Sequence, residues 1–137
     1  MDEIIDTHMH IWDKANGYTW LPDIANGALN HNFLVEDYQK MARNQPISQT
    51  IYIECGGFPN DPVLETKWVQ EQADRYGIPN GIIGFVKLDA SDAESQLKRH
   101  LEYPNLRGIR MPLNSSYFAV CPRSAADFWS RSLHGGQ

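Results

Sequence analysis

His8 and His10 stand one residue apart within Ile4-Ile5-Asp6-Thr7-His8-Met9-His10-Ile11-Trp12-Asp13, and this stretch holds the most specific chemistry in the chain. In an extended strand successive side chains point to opposite faces. Asp6, His8 and His10 are therefore expected on one face, with Ile5, Thr7, Met9 and Ile11 on the other. Imidazoles at i and i+2 have Cβ atoms roughly 7 Å apart, close enough for one nitrogen of each ring to reach ~2.1 Å from a shared divalent ion. That pair is half of a metal site, because a catalytic zinc normally takes three protein ligands and keeps one position open. The alternative reading is two hydrogen-bonded strand histidines. Glu54 ends a second predicted strand, where a carboxylate either meets a ligand or pairs with a neighbouring arginine or backbone amide. Arg110 lies near the C-terminal end of a later strand, and its planar fork of donors suits a carboxylate or hydroxyls. Tyr18 and Trp20 fall in a long connection and either close a pocket or form a small satellite core. No acid, base or nucleophile can be singled out.

These residues need a scaffold to aim them. Leu34, Tyr38, Met41 and Ala42 recur at helical spacing until Pro46, predicting a helix over 34–45. Thr50 to Cys55 alternates as a strand does. Asp61-Pro62 opens the clearest helix and Gly77 closes it, with Leu64, Trp68, Val69, Gln72, Ala73 and Tyr76 as its buried stripe. Gly81 to Leu88 is a nearly continuous apolar run, as in a strand buried on both faces of a parallel sheet. Ser91 and Glu94 have capping-box spacing, and Ala93, Leu97 and Leu101 are expected to face inward on the helix that follows. His100, in its last turn, is placed where the helix dipole favours a cation. Leu106 to Met111 is a fourth strand on which parity sets Arg107 and Arg110 on opposite faces. Ser124 could cap a short helix through Ala125, Phe128, Trp129 and Leu133. The order strand, helix, strand, helix, strand, helix, strand predicts a parallel α/β sheet.

The chain has 137 residues, 42% of them hydrophobic, which is one domain with an ordinary core. A formal charge of −5 without a basic run excludes nucleic acid and anionic membrane as partners. No apolar run is long enough to cross a bilayer and no leader pattern opens the chain, so a cytoplasmic location is expected. Cys55 and Cys121 are two cysteines without close spacing, which suggests neither a disulfide framework nor a zinc knuckle.

The first stretch resembles the His-x-His that ends the first barrel strand of the amidohydrolase superfamily. Its continuation through Ile11-Trp12-Asp13 and Tyr18-Thr19-Trp20-Leu21-Pro22 is similar to the amidohydrolase-related branch of sugar lactonases and pyrone-dicarboxylate lactonase. Glu65-Thr66-Lys67-Trp68 and Leu106-Arg107-Gly108-Ile109-Arg110 extend the resemblance to about Leu113. It implies a parallel (β/α) barrel of the TIM type. Such a barrel needs about 250 residues, so 1–137 is expected to be one amidohydrolase-related domain holding about the first four β/α units, a truncated half barrel. The resemblance further implies a hydrolase acting on a lactone or other cyclic ester, with His8 and His10 as ligands of zinc or manganese and Arg110, Glu54, Trp20 and Tyr18 around the substrate. The family's other ligands, histidines after the fifth and sixth strands and an aspartate after the eighth, fall beyond this sequence. His31 and His134 have no strand to aim them in their place. The expectation is therefore weak activity or none for this chain alone. Two other readings stay open: a non-catalytic chain that self-associates or binds a partner through exposed sheet edges, and a relative of the superfamily's metal-dependent decarboxylases.

Overall fold

The computed structural model describes residues 3–112. Seven elements alternate along them: β1 (Ile4–Met9), α1 (Val35–Ala42), β2 (Ile47–Ile53), α2 (Val63–Tyr76), β3 (Gly81–Phe85), α3 (Ala93–His100) and β4 (Leu106–Arg110). The strands form one sheet in the order β1-β2-β3-β4, and every adjacent pair is parallel. Parallel neighbours cannot be joined by a hairpin, so each chain return is a crossover, made here by a helix. This is the α/β half barrel expected from the sequence. The short helix suggested after Ser124 lies outside the described residues.

Packing between sheet and helices builds the core. Met9, Ile11, Val35, Tyr52, Val69 and Ile82 form its centre, with Phe33, Tyr38, Trp68 and Tyr76 packed against them. Tyr52 and Ile82 are register partners across β2 and β3, which sets them side by side on the helix-covered face. Fully burying aliphatic or aromatic side chains of this kind contributes about 1.5–3 kcal/mol each. Gly77 closes α2 in the left-handed conformation, φ 77°, and its N–H bonds the Ala73 carbonyl at 2.8 Å. Asp61 accepts the Val63 amide at 3.3 Å, so the helix start expected at Asp61-Pro62 is present.

Several expectations are corrected by the packing. Asp6 pairs in register with Thr50 and Met9 with Tyr52, so three steps on β1 oppose two on β2. This bulge breaks the alternation. Asp6 turns to the helix side, where its Oδ2 accepts the Tyr38 hydroxyl at 2.7 Å and its Oδ1 accepts the His8 amide at 3.1 Å. Only His8 and His10 remain together of the three residues assigned to one face. A similar shift in the β3–β4 register places Arg107 beside Gly81, its Cγ on the side where Ile51 projects, so parity does not set Arg107 opposite Arg110. Ser91 and Glu94 form no capping box: α3 starts after Asp92, which accepts the Gln96 amide, while Glu94 pairs with Lys98. Leu64 and Leu101, read as inward, are exposed, and so is Met41 in α1.

His100 takes the buried position at the end of α3 instead of Leu101, and it is 0% exposed. One ring nitrogen, Nε2, donates to the Phe85 carbonyl at 3.0 Å, which leaves Nδ1 to accept the Thr66 hydroxyl at 3.0 Å. The ring fits because residue 84 is glycine. A Cβ there would lie 2.8 Å from Thr66 Oγ1 and 2.9 Å from His100 Cε1. Burial, more than any other influence, pulls the His100 pKa below its usual value, against the cation expected from the helix dipole.

Candidate active site

The functional candidates gather around the C-terminal end of β2. His8 Nε2 and His10 Nε2 lie 3.1 Å apart, and the rings meet edge to face. His10 Nδ1 donates to the Ile53 carbonyl at 2.8 Å, which leaves Nε2 of that ring as the lone-pair nitrogen. A backbone carbonyl on the far nitrogen is the usual way a metal-ligating imidazole is oriented. Two nitrogens bound to one zinc at ~2.05 Å with a tetrahedral angle are about 3.3 Å apart, so the pair fits two ligands of such an ion. The same separation suits a His8 N–H donating to His10. Burial, only partly offset by the Ile53 hydrogen bond, lowers the His10 pKa, and this keeps the ring in the neutral form that binds metals. Among the described residues no group of three or more His, Cys, Asp and Glu side chains could hold a metal ion.

The residue after Ile53 begins a second, adjoining feature. Glu54 is 3% exposed and its Oε1 accepts Arg110 Nε at 2.7 Å. Arg110 Nη2 also donates to the Glu54 carbonyl at 2.9 Å, so two atoms of the guanidinium are held by one residue. Arg110, the last residue of β4, is thereby drawn over the end of β3 toward β2. Behind it opens a cavity of about 510 Å³ lined by Thr19, Glu54, Gly57, Glu65, Phe85 and Arg110 among others. That volume suits one small-molecule ligand.

The long connection after β1 roofs this end of the sheet. Trp12 and Phe33 exchange backbone hydrogen bonds of 2.7 and 2.9 Å, closing the connection on itself. Trp12, Tyr18 and Leu21 are buried together, with Trp20 packed against them. Trp20 Nε1 donates to the Cys55 carbonyl at 2.6 Å, tying the roof to the end of β2. Tyr18 is 5% exposed, and its hydroxyl has no hydrogen-bond partner among the described residues. Its ring passes so close to Gly57 that a Cβ there would meet Cζ at 2.8 Å. Tyr18 and Trp20 pack in this cluster, Tyr18 against Gly57 and Trp20 against Gly56, and neither side chain is among the described lining of the cavity.

Glu65 was noted in the sequence only as part of a motif. It is 2% exposed in the first turn of α2, and its Oε1 accepts the Tyr52 hydroxyl at 2.9 Å, the Gly57 amide at 3.1 Å and the Cys55 amide at 3.2 Å. One carboxylate oxygen therefore shapes the turn that lines the cavity. Burial is the largest influence on Glu65 and raises its pKa despite these donors. Burial likewise pushes the Cys55 thiol well up, which makes it an inert side chain rather than a nucleophile. A glutamate three and four residues before Trp68 and Val69 shares their helix face, but nothing in the spacing tells which donors it meets.

No family model matches the sequence. Over 119 residues, 81% of this chain, it is 40% identical to an uncharacterized protein, y4mH, of Sinorhizobium fredii, covering 40% of that protein. Over 106 residues, 77% of this chain, it is 24% identical to an L-fucono-1,5-lactonase of Burkholderia ambifaria, covering 35% of it. Among solved structures, an amidohydrolase from Burkholderia multivorans with bound zinc superposes with a TM-score of 0.59 at 22% identity, over 78% of this chain and 36% of that one. Amidohydrolase 2 from Bifidobacterium longum subsp. infantis gives 0.59 at 22% identity, over 97% and 49%. The fold is thus a partial parallel (β/α) barrel, like the matching part of these two structures. The resemblance to amidohydrolase-related, lactonase-like proteins holds over the part of the chain these matches span, and the chain spans less than half the length of each.

Proposed function

We propose that the chain forms the first-strand metal site and part of the substrate cavity of an amidohydrolase-related hydrolase that opens a lactone or other cyclic ester. The observation that carries this reading is the convergence of His8 and His10 with the His10 tautomer fixed by Ile53. The zinc in the amidohydrolase of Burkholderia multivorans and the activity named for the Burkholderia ambifaria relative support it. His8 and His10 would hold a divalent ion, which would supply Lewis acidity to polarise a carbonyl or to acidify water. Arg110, fixed by Glu54, presents its remaining donors to ligand oxygens at the cavity mouth. Trp20 and the satellite core behind it exclude water from one side, which strengthens every polar contact inside. Proton transfer by a positioned group typically contributes ~10²–10⁴-fold, and among the described residues no carboxylate or further imidazole hydrogen-bonds to the histidine rings. Turnover by the 137-residue chain alone is therefore expected to be slow.

Calorimetric titration of the chain with zinc and with manganese tests the site. Weak binding that disappears in His8→Ala and in His10→Ala is the expected result. Tight stoichiometric binding that survives both substitutions would assign the metal to other ligands. A second reading, a chain acting through self-association, draws on the exposure of Ile4 and Ile5 on edge strand β1. In that case neither metal nor lactone binds and only the solution mass responds to changes at the edge.

A further inference from the structure

We propose that the cavity beside the histidine pair discriminates by charge, taking up a neutral lactone ring and rejecting the carboxylate that hydrolysis makes of it. This rests on the lactonase reading above and specifies the charge of the ligand. In the reaction water adds to the carbonyl carbon and the ring C–O bond breaks. Its electron pair and a proton go to the ring oxygen. The new carboxylic acid then loses its proton to solvent, so a neutral ligand leaves as an anion.

The cavity is built to feel that change. Among the described residues Arg110 is the only cationic side chain in its lining, and Glu54 already neutralises it at 2.7 Å, with the Glu54 carbonyl taking a second donor. The Glu54 carboxylate is almost wholly buried, so the pair is little screened by water on that side. Glu65 adds a second carboxyl to the same lining, and no Lys or Arg pairs with it among the described residues. Three donors converge on its Oε1, the arrangement of an ionised carboxylate, which accepts hydrogen bonds and has none to give. The charge of Glu54 is among the lesser influences that raise the Glu65 pKa, so the two carboxyl groups are within electrostatic reach of each other. A neutral hydroxylated ring can donate to these carboxyl groups and accept from Arg110. In the metal-free chain an anion of the same size meets two carboxyl groups against one guanidinium among the described residues. Arg110 is thus a hydrogen-bonding residue for a neutral ligand and not a carboxylate anchor.

The test is equilibrium binding of D-galactono-1,4-lactone and of open-chain galactonate at pH 7.5, to the metal-free full chain and to metal-free Glu54→Gln and Glu65→Gln, each checked for native circular dichroism. The expected result is at least tenfold tighter binding of the lactone to the wild type. Each variant should narrow that gap by strengthening galactonate binding. Galactonate binding as tight as the lactone, or a gap unchanged in both variants, overturns the proposal. If neither compound binds the wild type, the lactonase reading fails. In that event galactonate binding gained by the variants still upholds the charge discrimination, and galactonate binding absent from all three proteins overturns it.

Discussion

His100 shows how a single buried ring can govern acid stability. It is wholly enclosed and satisfied at both nitrogens as a neutral imidazole, linking α3 to α2 and β3. Unfolded, it titrates near its ordinary value of 6.5; folded, its pKa is lower. Above that ordinary value neither state carries the proton and the full stability is present. As pH falls below it the unfolded chain takes up the proton first, so stability drops until the folded pKa is passed. Urea unfolding at pH 7.5 and pH 5.5 should show a larger acid loss for the wild type than for His100→Gln. His10, also lowered by burial, contributes in the same direction in both proteins. Gly84→Ala tests the same contact from the other side. Its Cβ would fall within 3 Å of both Thr66 and His100, and overpacking of this kind costs about 1–3 kcal/mol, read as a lower urea midpoint. Neither residue announces this partnership in the sequence. A histidine near a helix end reads as a favourable surface charge, because the dipole is a local property of the helix. The space left by a glycine one strand away is visible only once the two are packed.

At the scale of elements, the turn from β2 into α2 is the hinge between sheet and cavity. Glu65 receives two backbone amides of that turn and the Tyr52 hydroxyl. Glu65→Ala leaves these donors without their acceptor, and each buried unsatisfied group costs about 1–3 kcal/mol. The expected outcome is a large fall in unfolding free energy, with Glu65→Gln recovering much of it through the remaining amide oxygen. Equal losses in the two variants would mean that the bonds contribute little. The order and type of the elements were legible from their periodicities, and so was the closing of α2 at Gly77. Element faces were less so. Leu64 and Leu101 fit an inward stripe by spacing yet are exposed, while Glu65 and His100 are buried beside them. Spacing determines an angle around the helix, but the sheet it lies on selects which arc is covered. The bulge in β1 has the same character. It moves Asp6 to Tyr38 and breaks a parity that the sequence alternates through without interruption.

Across the whole molecule, β1 and β4 are the edges of the four-stranded sheet among the described residues, and β1 carries Ile4 and Ile5 at 42% and 53% exposure. Unpaired edges with apolar side chains favour pairing with another chain. We expect light scattering to give a mass above that of the monomer at micromolar concentration. Ile5→Lys should shift it toward the monomer, and a monomer in both would set the self-association reading aside. By itself the sequence determined the parallel α/β order, the His-x-His at the first strand and the position of Arg110 at the end of the fourth. Each is written in local spacing along a few residues, which backbone geometry converts directly into direction. Only the tertiary structure decided that Arg110 is neutralised by Glu54, that Glu65 faces the same cavity and that Tyr18 belongs to the packed roof. Those outcomes depend on residues 11 to 56 positions apart meeting across the sheet end, and no local period encodes such a distance.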